Sequence, residues 1–157
     1  MTHVVANALC PKLIGRGDQL FVLEDALLAA YRGESRAVAV GGEAGMGKTR
    51  LVRELAERGE QLGCEVLWGT CSEAELPLPY LPLVEALGNY LSRNDVDAVA
   101  ASLGAAGREL GQLFPQLAPQ DAAPLGDPAQ AKLRLFEAVV ALLGLAARDR
   151  GLLLVID

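Results

Sequence analysis

Apolar residues along the chain alternate between two kinds of spacing, and each change of spacing marks an element. Over residues 18–32, Leu20, Leu23, Leu27 and Ala30 recur at helical intervals, and Gly33 stands where a helix C-cap would. Residues 36–41, RAVAVG, form a short β-rich apolar run that stops at glycines. Helical spacing returns over 48–62, with Leu51, Leu55 and Leu62 on one face and Arg53, Glu57 and Glu60 off it. Residues 64–71, CEVLWGTC, read as a second strand.

The pattern then loosens. Pro77, Pro79 and Pro82 bracket Tyr80 in an extended segment, and 83–91 is a short helix. Residues 94–126 hold short helical pieces cut by Gly104, Pro115, Pro119 and Pro124. Order returns at Asp127, an N-cap with Pro128 at N1 and Gln130 at N3. Leu133, Phe136, Val140, Leu143 and Ala147 then make an apolar stripe on a long helix, and 152–156 is a buried-strand run ending in Asp157. Strands alternating with helices predict an α/β layer fold with a parallel sheet. Trp68, Tyr80 and Phe136 are expected to pack in its core.

Composition narrows the function. The 157 residues are 52% hydrophobic and 22% charged, which excludes disorder and fits one domain. A net charge of −6 argues against a freestanding nucleic-acid binder. No apolar run is long enough for a membrane span, and residues 1–9 lack the features of a secretory signal. Cys10, Cys64 and Cys71 fit neither a redox pair nor a zinc knuckle, and reduced thiols suit a cytoplasmic setting. The single histidine, His3, lies in the loose N-terminal leader, which argues against a Ser-His-Asp triad or a histidine metal site.

What remains is phosphate chemistry, and one motif carries it. Gly42, Glu43, Ala44, Gly45, Met46, Gly47, Lys48 and Thr49 match G-x-x-x-x-G-K-[ST] between a predicted strand and a predicted helix. With 17 glycines, 3 lysines and 7 serines or threonines in the chain, roughly 0.002 accidental matches are expected. Backbone N–H groups of such a loop curl around phosphate oxygens, helped by the positive end of the helix that follows. Gly42, Gly45 and Gly47 permit positive φ and close approach. Lys48 offers a point charge to the β- and γ-phosphates, and the Thr49 hydroxyl is a ligand for Mg²⁺. Asp157, at the end of an apolar strand, is the second candidate for the Mg²⁺ shell. Lys48 and Asp157 are thus the candidate catalytic residues, with ATP or ADP and Mg²⁺ as expected cofactors.

The residues LIGRGDQL (13–20), GEAGMGKTRL (42–51) and LLVID (153–157) together resemble the start of an AAA-type ATPase module. That module occurs in STAND-class bacterial regulators, including large ATP-binding LuxR-type transcription regulators. SEAELPLPYLPLVEALGNYL (72–91) is similar to the segment after the family's second strand. The resemblance implies that Gly15 and Arg16 form a GR-box near adenine and ribose, with Gly17 and Asp18 where many members carry an acid directly after the arginine. It implies phosphate contacts from Gly42, Gly47, Lys48 and Thr49, with Arg50 beside them, and the first Walker B acid at Asp157. It further implies an incomplete three-layer P-loop sheet, with a helical insertion between strand 2 and the Walker B strand. Residues 1–12 read as a loose leader and 13–157 as the N-terminal part of the ATP-binding domain.

In the AAA-type strand order, 5-1-4-3-2, a vacant position separates the strands at 36–41 and 152–157, and the unpaired edges would make the isolated chain prone to aggregate. DNA contact would belong to a missing C-terminal domain, and the full-length ATPase would be able to self-associate. Hydrolysis is expected of a longer protein rather than of this chain, which has no acid after Asp157 to orient water.

Two other readings compete. A small P-loop kinase would place the strands at 36–41 and 152–157 side by side, about 4.8 Å apart. Against it, Arg93, Arg108, Arg134, Arg148 and Arg150 are dispersed rather than gathered in a lid. A non-hydrolysing ATP-binding scaffold is the third.

Overall fold

The computed structural model describes residues 15–71, 80–118 and 128–157. The leader, Pro77, Pro79, Pro119, Pro124 and Asp127 lie outside them. In order come α1 (Gly17–Tyr31), α2 (Lys48–Gln61), β1 (Glu65–Gly69), α3 (Leu81–Arg93), α4 (Val96–Leu103), α5 (Ala105–Leu110), a 3-10 turn (Pro115–Leu117), α6 (Pro128–Ala147) and β2 (Leu152–Ile156).

Local chemistry sets several of these boundaries. Helix α1 ends as its spacing predicts. Gly33 takes φ +88°, and Glu34 N–H donates to the Ala29 carbonyl at 3.0 Å, which satisfies a carbonyl left over by the last turn. Asp95 caps α4 by accepting from the N–H groups of Asp97 and Ala98, and Gly104, at φ +54°, separates α4 from α5. Between β1 and β2 every regular element among the described residues is helical.

β1 and β2 pair in parallel, with Glu65 opposite Leu152 and Gly69 opposite Ile156. Side chains alternate across a strand, so this register sorts the two faces. Leu67, Leu152 and Leu154 pack into one cluster with Leu87 and Leu91 of α3, Leu110 of α5 and Leu142 of α6. Leu153 packs on the opposite side against Leu20, Leu23 and Leu27 of α1 and Leu51 and Leu55 of α2. Helices therefore cover both faces of the strand pair, the layering of an α/β fold.

Four expectations need correction. Residues 36–41 form no strand: they pair with nothing among the described residues, and of the run only Val40 packs, against the α1–α2 cluster. A strand needs a ladder partner, and a cleft separates the run from the other edge of β2. The apolar stripe on α6 is also misplaced. Leu133 is 60% and Val140 67% exposed, whereas Ala138, Val139, Leu142 and Ala146 are buried. Ala- and Leu-rich sequence offers several overlapping apolar faces, and packing selected the one that reaches α5 and the sheet. Leu62 lies just past the end of α2 and is exposed. Finally, Tyr80 and Phe136 are not core residues. They meet edge to face, 5.6 Å between ring centres, with both rings substantially exposed.

Candidate functional site

The glycine-rich segment bridges 36–41 to α2. Gly45 and Gly47 both adopt φ +79°, a conformation that side chains with a Cβ resist, and Gly47 is the N-cap of α2. Lys48 opens that helix and folds back, its Nζ donating to the carbonyls of Gly42 (2.9 Å) and Glu43 (3.0 Å). Glu43, Ala44 and Met46 form the exposed outer part of the loop, while Lys48, Thr49 and Arg50 are half-buried in the first turn of α2. Gly15, at φ +74°, precedes Arg16, whose guanidinium donates to the Met46 carbonyl at 2.7 Å.

Asp157 is brought to this loop from 108 residues away. Its backbone extends the ladder beyond β2: Asp157 N–H donates to the Gly69 carbonyl at 3.0 Å, and the Asp157 carbonyl accepts from Cys71 N–H. With both backbone groups held by the end of β1, the carboxylate points to α2. Thr49 Oγ1 donates to Asp157 Oδ1 at 3.1 Å. The two candidate metal ligands are thus adjacent, at the C-terminal edge of the strands, where open α/β sheets bind ligands.

These groups suit a magnesium–phosphate ligand. A hydroxyl and a carboxylate are hard oxygen donors, and Mg²⁺ is commonly held by one or two such protein groups with phosphates completing its shell. No group of three His, Cys, Asp or Glu able to hold a metal by themselves occurs among the described residues.

A cleft of about 760 Å³ lies between residues 36–40 and β2, lined by Leu23, Leu27, Val38 and Leu153 and reaching Lys48 and Asp157. Two of the arginines considered for a kinase lid are engaged elsewhere: Arg93 pairs with Glu65 and Arg134 with Glu109. Two features of the site have no signature in the sequence. One is the Arg16–Met46 contact. The other is Glu85 of α3, whose carboxylate accepts from Thr70 N–H at 2.7 Å and closes the end of β1 beside Asp157. Burial pushes the Cys64 thiol up, and burial followed by the charge of Glu65 pushes up the Tyr90 hydroxyl.

No helix among the described residues is long and apolar enough to cross a membrane. Comparison with curated proteins and with solved structures returned no match. A family model described as AAA ATPase domain, however, matches residues 12–157, which spans the phosphate-loop motif, the loop–α2 junction and Asp157. The chain belongs to the AAA ATPase domain family.

Proposed function

We propose that the chain is the Mg-nucleotide-binding module of a nucleotide-switched signalling ATPase of the STAND class, as in LuxR-type transcription regulators. The observation that carries the nucleotide reading is the contact between the Thr49 hydroxyl and the Asp157 carboxylate beside a glycine-rich helix N-terminus. In this reading the loop N–H groups and Lys48 hold the β- and γ-phosphates, and Thr49 and Asp157 hold Mg²⁺, which would neutralise phosphate charge when bound. Lys48 already shows that its ammonium reaches across the loop mouth to the Gly42 and Glu43 carbonyls. A phosphate oxygen is a stronger acceptor for the same group.

The regulator assignment rests on the GR-box at Gly15 and Arg16 and on the segment 72–91. The cleft between 36–40 and β2 supports the AAA-type order, in which one strand position, roughly 9–10 Å across two spacings, separates those segments. The kinase alternative requires direct pairing of 36–41 with β2, and that ladder is not formed. DNA contact would belong to another domain, and self-association to the full-length ATPase.

Calorimetry tests the nucleotide reading. Mg-ATP or Mg-ADP should bind the wild-type chain, and Lys48→Ala should lower the affinity at least tenfold, since it deletes a charged partner of the phosphates. Equal binding by the two would overturn it. Turnover measured on the same samples separates a hydrolase from a scaffold that only binds.

A further inference from the structure

Arg16 sits at the N-cap of α1 but makes no side-chain capping bond there. Its guanidinium instead crosses to the Met46 carbonyl, 30 residues away, at 2.7 Å. The base of this arm is fixed: α1 is packed on α2 through Leu20, Leu23 and Leu27 against Leu51 and Leu55. The target matters because of what shares its peptide plane. The Met46 carbonyl and the Gly47 N–H belong to one planar trans unit, so they point in opposite directions. Holding the carbonyl on the Arg16 side aims the Gly47 N–H to the other side. Gly47 forms one end of this peptide at φ +79°, and a glycine rotates at low cost, so the loop alone would not fix that plane.

We infer that Arg16 is a positioning residue that sets the Met46–Gly47 peptide so that the Gly47 N–H faces the phosphate, rather than a residue that contacts the base or ribose. This rests on the phosphate-binding reading of the loop. It predicts that Arg16 serves a polyphosphate with no nucleoside as well as it serves a nucleotide. A single guanidinium-to-carbonyl bond can be partly replaced by an ammonium, so lysine should retain some of the effect.

The test titrates ADP and pyrophosphate, each with Mg²⁺, into the full chain as wild type, Arg16→Ala and Arg16→Lys. The expected result is a loss of about tenfold for Arg16→Ala with both ligands alike, with partial recovery of both in Arg16→Lys. Loss for ADP with pyrophosphate unchanged would overturn the inference in favour of base or ribose contact, and no loss for either would also overturn it. Backbone amide NMR without ligand supplies an independent arm. Arg16→Ala should move the Gly47 amide resonance, which shares its peptide with the Met46 carbonyl, and leave the amides of α1 and of the second and later turns of α2 in place. An unmoved Gly47 resonance, or shifts spread through both helices, would contradict it. A wild-type chain that binds neither ligand defeats the phosphate reading and, with it, the role of the peptide in binding. The NMR arm then reports separately whether the contact to Met46 exists.

Discussion

Gly69 shows how closely backbone and backbone meet behind the site. A Cβ placed there would run into the Pro82 carbonyl oxygen, so no side chain fits without moving α3 off β1. Gly69→Ala should cost about 3 kcal/mol, read as a lower urea midpoint at unchanged slope. Because the Gly69 carbonyl also holds Asp157 N–H, the same variant should weaken Mg-nucleotide binding. The glycines of the phosphate loop could be assigned from the motif, whereas Gly69 looks like any glycine ending a strand: its constraint comes from a partner in another element.

The cysteines make a second comparison at this scale. Cys64 is 8% exposed and its thiol is pushed up by burial, while Cys71 is exposed. Peptide mapping after brief alkylation should find Cys71 modified and Cys64 protected. The raised thiol also sets the sign of a pH effect. The folded chain retains a proton that the unfolded chain releases above the ordinary value of 9.0, so this contribution to stability is full below that pH and is lost as pH rises through the folded value.

Among the elements, the helices were legible where one apolar face dominates. In α1 and α2 the predicted Leu20, Leu23, Leu27, Leu51 and Leu55 are all buried. In α6, periodicity found the helix but not its inner face, since Leu133, Phe136 and Val140 compete on hydrophobicity with the residues that packing chose. Leu142 is fully buried against the α3–α5 cluster, so Leu142→Ala should cost about 3 kcal/mol. Val140→Ser, on the exposed side, should change stability by no more than about 0.5 kcal/mol. Equal losses in thermal or urea unfolding would restore the original stripe. The run 36–41 failed as a strand for a different reason: local β propensity describes a residue's fit to a sheet, and strand pairing is not local.

At the scale of the molecule, two layers of helices hold a pair of parallel strands, and the loop-to-α2 junction meets the end of β2. The pairing of β1 with β2 agrees with the strand order 5-1-4-3-2 that the resemblance implies, whereas residue patterns alone left its register open. What the motif did allow was the expectation that Thr49 and Asp157 serve one metal, and the fold sets them 3.1 Å apart. The unpaired run beside the cleft has its own consequence. Amides of 37–39 should exchange with deuterium far faster than those of 66–68 and 153–155, which lie in the ladder; protection of both alike would mean that 36–41 has a partner.

The central claim is that Thr49 and Asp157 bind the metal of a Mg-nucleotide, and its most direct measurement is ATP affinity with and without Mg²⁺ in wild type, Thr49→Val and Asp157→Asn. The account predicts that Mg²⁺ strengthens ATP binding in the wild type and that either variant removes at least about tenfold of that gain while leaving metal-free binding nearly unchanged. A gain from Mg²⁺ that is identical in all three proteins would contradict it.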